Sequence, residues 1–456
     1  MRHKPTDVIL RARNGDVIAY DETGLILRLS DQVIRDIAGR LGAGAGADAV
    51  PQDASVLGDI DAWNVRRDGD WYLFDAPCPA TGHTRAFRRP VSGGDVIADA
   101  PGPVQAILSL GGPRVSDGYA APPAFPGHVV APMDELGAAG GCGTVDTVPE
   151  PGFQRLFEMT QGSLLADAVL AQRVVEARAV PLIVARTESD CSSGIGDFLA
   201  GPAQASFERV LDALVSSAAL LGQRAQVMAC VIDFAEEDVV STPADYETGI
   251  RTLIDRVRDL CHRHAMAEPV ILLRCDGGAR LEQQWALAVH PAGNRVCVPG
   301  PRYAFAQDRF QRLTLDGALQ QAALDAAALE SVREGGQWTC PVPLLAEFGE
   351  EPGTIEVTFQ SDGPLVIDPA DPLGAGTAAG FVLQAESAKI PIVIVSIHAE
   401  DPRMVVITYD AQRGYDGLVL SYAAGSPGAV RDDWDGGSAA DLRLHRWALP
   451  ARLTVR

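Results

Sequence analysis

Between residues 104 and 298 the chain alternates almost wholly apolar runs with amphipathic stretches, and that alternation leaves few folds open. The apolar runs are 104–110, 180–185, 226–232, 270–273 and 295–298. Strands apolar on both faces belong in a parallel sheet covered by helices on each side. The stretches between them predict helices over 162–177, 204–221, 246–264 and 279–290. In the third, Ile250, Leu253, Ile254, Val257 and Leu260 recur at helical spacing. In such sheets the groups that meet a ligand stand on loops after the strands. The loops after Leu110, Ala185, Ile232 and Val298 are therefore the places to look.

On either side the pattern changes. Residues 7–13 and 16–20 alternate around Asn14-Gly15, a hairpin signal. A short helix is expected at 30–41, a linker at 42–58, and an aromatic strand at 70–74. Residues 111–150, rich in Pro and Gly, are expected to form a long irregular loop. After Gly335 come strand runs at 354–359, 391–396, 403–409 and 418–422, the texture of a β-sandwich or jelly-roll. Three domains are expected: a strand-rich attachment or assembly domain at 1–100, an α/β domain at 101–334, and a β-sandwich at 335–456.

Charge and cysteine usage limit the function. The formal net charge of -22 argues against a nucleic-acid partner, since phosphate contacts need clustered Lys and Arg. No run approaches the length of a membrane helix and the first residues carry no apolar signal segment, so synthesis in the cytoplasm without membrane insertion is expected. The eight cysteines have no Cys-x-x-Cys spacing and sit in apolar runs, as buried free thiols do. Glu236-Glu237-Asp238 is an acid run that reads as a solvated loop rather than a metal site. No metal or cofactor is expected.

Several segments are more specific when taken in order: Gln105 to Gly111, Gly194-Ile195-Gly196, Phe234-Ala235-Glu236-Glu237-Asp238, Gly300-Pro301-Arg302-Tyr303, Asp308 to Thr314, Ile355-Glu356-Val357-Thr358-Phe359, Gly363 to Asp368 and His445 to Pro450. In this order the chain resembles the SGNH (GDSL-type) hydrolase-like domains of phages and prophages, from about residue 101 to the C-terminus. The resemblance implies a three-layer flavodoxin-type α/β domain with a parallel sheet, followed by the β-sandwich. It also implies a degenerate active site. Members carry Gly-Gln-Ser-Leu-Ser-Leu-Gly on the first strand, and aligning its end with Ser109-Leu110-Gly111 puts Ile107 at the nucleophile. Asp308 keeps the acid, but Phe310, Gln311 and Arg312 stand where the histidine belongs. Isoleucine has no nucleophile, and neither an amide nor a guanidinium accepts the serine proton.

The expectation is therefore a shaped crevice without triad chemistry, with no catalytic residue and with Ile107, Ser109, Asp308 and Gln311 as former site positions. Its expected ligand contacts are Ser109, Gly194, Gly196, Glu237, Asp238, Tyr303, Asp308, Gln311, Arg312 and Trp434, the last taken as exposed among its acidic neighbours. As an adhesin, such a chain would bind a cell-surface polysaccharide as a homo-oligomeric spike or fibre of a phage or gene transfer agent. The N-terminal domain would join it to other particle proteins, and the particle would leave the cell by lysis. Two alternatives stand beside it: a carbohydrate O-acetylesterase using Ser109 with His128 or His290 as base, and a structural particle component without a ligand.

Overall fold

The computed structural model describes residues 7–11, 17–21, 24–28, 57, 60–134, 136–143, 150–190, 194–234, 240–386, 388–410, 417–439 and 442–456. The expected helix at 30–41, nearly all of the linker at 42–58, and Glu237 and Asp238 lie outside them. Strands β1 (Asp7–Arg11), β2 (Val17–Asp21) and β3 (Gly24–Arg28) form an antiparallel sheet in that order. The β1/β2 pairing agrees with the Asn-Gly hairpin signal. A second antiparallel sheet holds β4 (Trp63–Asp68), β5 (Trp71–Pro77), β6 (Thr84–Pro90) and β7 (Ile97–Ala98). Its Phe74, Phe87 and Ile97 share one core with Val104, Ala106, Leu108 and Leu110 of the next strand.

The central sheet has seven strands: β8 (Val104–Gly111), β9 (Val129–Met133), β10 (Glu150–Arg155), β11 (Ile183–Ser189), β12 (Ala225–Asp233), β13 (Val270–Leu273) and β14 (Val296–Cys297). Their order is β10-β9-β11-β8-β12-β13-β14. The parallel core β11-β8-β12-β13-β14 has the 2-1-3-4-5 order of doubly wound sheets, so the chain reverses direction across the sheet between β8 and β12. Around it lie α1 (Gln161–Val175), α2 (Ile195–Ala200), α3 (Pro202–Leu220), α4 (Pro243–Arg263), α5 (Leu281–Val289) and α6 (Leu315–Arg333). Thr160, Thr242 and Thr314 cap α1, α4 and α6 through their hydroxyls. Successive residues of β8 point to opposite faces. Ile107 joins the core made by Leu164, Leu165 and Val169 of α1 and Ala322 and Leu329 of α6. Leu108 and Leu110 face Val210, Leu214, Leu253 and Ile254 of α3 and α4.

Two expectations change here. The segment 111–150 is not all irregular, because β9 pairs with β11 inside the sheet. Its sequence, Val129-Val130-Ala131-Pro132-Met133, is too short and too interrupted by Pro to announce a strand, and only the neighbouring strand makes it one. The strand expected at 180–185 runs instead from Ile183 to Ser189, because its charged end is buried as an ion cluster. Arg186 Nη1 lies 2.6 Å from Asp134 Oδ2 and its Nε 2.7 Å from Glu188 Oε1, with all three side chains at most 1% exposed. The same guanidinium donates to the carbonyl of Gly137 at 3.0 Å, which ties the loop after β9 to β11.

The C-terminal part is all strands: β15 (Val342–Phe348), β16 (Thr354–Gln360), β17 (Leu365–Ile367), β18 (Phe381–Ala385), β19 (Ala388–Ile390), β20 (Ile392–Ile397), β21 (Met404–Tyr409), β22 (Leu418–Tyr422), β23 (Val430–Ala439), β24 (Leu442–Trp447) and β25 (Ala451–Thr454). They make three antiparallel sheets, β15-β16-β21-β20, β19-β18-β22-β25 and β17-β23-β24. Ile355, Val357, Val405 and Ile407 of the first pack on Leu383, Leu418 and Leu420 of the second around a core of their own. The whole is a mixed architecture: one parallel-cored sheet with helices on both faces, joined to several antiparallel sheets. It is more β-rich than a three-layer α/β protein.

Candidate functional site

The central sheet ends in polar residues where its strands run out between β8 and β12. Gly111, the last residue of β8, pairs with Asp233, the last of β12, and the next amide, Gly112, donates to the Asp233 carbonyl at 3.1 Å. The two backbones approach so closely that a Cβ on Gly111 would stand 2.0 Å from that carbonyl oxygen, so the position admits only glycine. Pro113 then opens a single 3-10 turn, Pro113–Ser116. The residue that begins the turn after the central strand thus has neither a hydroxyl nor an N–H.

Four segments meet above this point, where a doubly wound sheet has its crevice. From the turn after β8, Arg114 Nη1 lies 3.2 Å from Asp276 Oδ2, which follows β13. From beyond β14, Arg302 reaches Asp233 Oδ2 with its Nη1 at 3.3 Å, and the backbone amide of Arg302 donates to the Cys275 carbonyl at 2.8 Å. Asp117 and Tyr119 continue from the turn, and Tyr119 is fixed by its amide donating to the Met159 carbonyl at 2.7 Å. Beneath them Arg274 grips Asp325 of α6 with two bonds of 2.6 Å, which satisfies that guanidinium within the protein.

Several polar atoms here are buried without a protein partner: Asp117 Oδ2, Tyr119 Oη, Gln161 Oε1, and Nε and Nη2 of Arg302. Native proteins satisfy nearly all such groups, so a cluster of them at one strand end marks a place for a ligand or ordered water. Burial holds the Asp117 carboxyl above its ordinary value, although Arg312 and Arg302 pull it down. Burial, with Asp117 next to it, pushes the Tyr119 phenol up to about 12, so it remains a donor at physiological pH. Among the described residues no group of three or more His, Cys, Asp or Glu side chains is placed to hold a metal ion, and no helix is long and apolar enough to cross a membrane.

The residues singled out from the sequence are dispersed. Ile107 and Ser109 lie in the middle of β8, both 0% exposed, rather than at its end. Ser109 Oγ points at α1, where a Cβ on Gly162 would meet it at 2.9 Å, and it has no hydrogen-bond partner. His128, offered as its base, is committed elsewhere: Nδ1 lies 3.3 Å from the Pro181 carbonyl and the ring stands edge-on to Phe87. His290 caps the C-terminal end of α5. Gly194 caps the one-and-a-half-turn helix α2, and Gly196 is exposed on it.

Asp308 closes a small loop of its own, accepting from the amides of Phe310 at 2.8 Å and Arg312 at 3.0 Å. Those amides, Arg312 first, hold its carboxyl below the ordinary range. Gln311 sits at the turn of that loop with φ +60°. Tyr303 faces away from the crevice, donating its hydroxyl to the Ala448 carbonyl at 2.6 Å and so joining the α/β part to the strands beyond. Trp434 is half-buried, not exposed: its ring stands 4.8 Å edge-on from Trp338, and the Arg446 guanidinium lies over both rings. Of these residues, Arg312 acts on the crevice by its charge, pulling the Asp117 carboxyl down.

Arg114, Asp117, Tyr119, Asp233, Asp276 and Arg302 were not singled out as contacts from the sequence. A usable signal existed, since each follows closely on the carboxyl end of an apolar run in the parallel sheet.

The fold has a counterpart among known structures. No family model and no curated sequence matches the chain. A carbohydrate acetylesterase from Xanthomonas citri matches over 81% of this chain and 85% of its own, with a TM-score of 0.50 and 12% identity. A protein from Arabidopsis thaliana matches over 50% of this chain and 98% of its own, with a TM-score of 0.37 and 16% identity. The first likeness establishes a shared architecture.

Proposed function

We propose that this chain binds carbohydrate without hydrolysing it, taking a surface polysaccharide into the crevice at the carboxyl ends of β8, β12 and β14. The observation that carries this reading is the pairing of Pro113 at the strand end with a crevice of carboxylates, guanidinium groups and a phenol. Sugar hydroxyls are bound by such groups, whereas acyl transfer needs a nucleophile and base in contact. The architecture shared with a carbohydrate acetylesterase supports a sugar as the ligand class. In the finer form of the proposal, the protein is a homo-oligomeric spike or fibre of a phage-like particle. Contacts through the N-terminal strands attach it to other particle proteins, and it adsorbs the particle to capsule.

The pure protein incubated with p-nitrophenyl acetate and with O-acetylated capsule is expected to release no acetate above background while retaining the polysaccharide. Enzymatic turnover would overturn the non-catalytic reading, and failure to retain any glycan would overturn the binding one. Sedimentation of the protein with virus-like particles from a producing culture tests the particle role.

A further inference from the structure

Arg302 is held rigidly and used only in part. Its backbone amide donates to the Cys275 carbonyl at 2.8 Å, its carbonyl accepts from Gln307 Nε2 at 2.9 Å, and its Nη1 holds Asp233. The side chain is 4% exposed, yet Nε and Nη2 have no partner. These two nitrogens present parallel N–H bonds along one edge of the guanidinium plane, the edge that matches the two oxygens of a carboxylate. A buried arginine with that edge empty is otherwise costly, because each unsatisfied charged donor forfeits its hydration. The Tyr119 hydroxyl, also buried and unpartnered, belongs to the same charge neighbourhood as Arg302.

Resting on the carbohydrate reading above, we propose that the crevice selects acidic sugars, with the carboxylate of a uronic-acid-type residue held two-point by Nε and Nη2 of Arg302 and approached by the Tyr119 hydroxyl. A carboxylate fits better than a phosphate monoester. Asp117, Asp233 and Asp276 line the same crevice, and they repel a more highly charged group more strongly. Neutral sugars leave the arginine edge unsatisfied, which sets them at a disadvantage.

The test needs no variant to begin. The wild-type protein is run over immobilised polygalacturonate, hyaluronan, dextran sulfate and neutral dextran, and over a bacterial capsule panel. Every retained acidic polymer is then tested again after carbodiimide and borohydride reduction of its carboxylates to alcohols. Retention confined to uronate-bearing polymers, falling about 10- to 100-fold on reduction, is the expected result. Arg302→Lys, which keeps the charge but removes the two-point edge, lowers affinity for the native polymer by a similar factor and brings the ratio of native to reduced affinity close to one. Tyr119→Phe gives a smaller loss. Equal binding of native and reduced polymer, or retention of only neutral or sulfated polymers, overturns the carboxylate inference while leaving the sugar reading intact. Retention of no polymer overturns both.

Discussion

Arg302 and Asp233 meet across the carboxyl ends of the central sheet, Nη1 to Oδ2 at 3.3 Å, although β13 lies between the strands they follow. The contact is spanned by the Arg302 amide bonded to Cys275, so the ends of three strands are fixed to one another at the mouth of the crevice. The charged floor is thus built into the sheet, and changes at the strand ends will alter stability and binding together.

Gly111→Ala puts a methyl group into the Asp233 carbonyl. The two strands must part, at a cost of about 3 kcal/mol, the upper part of the range for forced overpacking. Urea unfolding should show a lowered midpoint, and glycan retention should fall with it. An unchanged midpoint would mean that β8 and β12 are not so tightly apposed.

Burial drives the His128 imidazole down to about 4 from an ordinary 6.5. The folded protein keeps it neutral while the unfolded chain takes up a proton, so stability falls as pH drops from about 6.5 to 4. The full penalty is about 3 kcal/mol below that window. His128→Leu should flatten this part of the stability profile, measured by denaturant midpoints across pH. A parallel profile in the variant would place the proton uptake elsewhere.

Trp434 is a structural side chain in this geometry, edge-on to Trp338 under Arg446. Trp434→Ala should lower unfolding free energy by about 2 kcal/mol, less than a fully buried tryptophan, through lost packing and cation–π contact. Glycan affinity of the folded fraction should stay within twofold of wild type. A selective loss of affinity would return this residue to the binding site.

Among the described cysteines, Cys142 is half-exposed and the other six are buried. Burial pushes the Cys261, Cys275 and Cys297 thiols up to about 12, far from the reactive thiolate form. Iodoacetamide at pH 8 should therefore label the native protein at Cys142 and, of these seven, the remaining six only after denaturation. Peptide mass spectrometry reads the pattern, and fast native labelling of Cys275 would show that the crevice floor opens.

Much of the fold could be foreseen because its signals are local. The helices α1, α3, α4 and α5 begin and end within a few residues of the positions given by apolar spacing, and Asn14-Gly15 marks a real strand pair. Strand β9 was not foreseeable, since Pro132 and its short run acquire strand geometry only beside β11. Trp434 was misjudged for a related reason: acidic neighbours in sequence say nothing about Trp338 and Arg446 arriving from other elements.

What the sequence by itself determined is the alternating α/β core, the strand-rich segments flanking it, and the loops on which a site must stand, because hydrophobic period and turn chemistry act over a few residues. Which side chains share that site was decided only by tertiary structure. Arg114, Asp117, Tyr119, Asp233, Asp276 and Arg302 are drawn from separate loops, and their pairing depends on strand order and on where each strand ends. The same geometry moved Ile107 and Ser109 from expected former-site positions into the packed middle of β8, because a shift of a few residues along a strand carries a side chain from the open end of the sheet to beneath a helix.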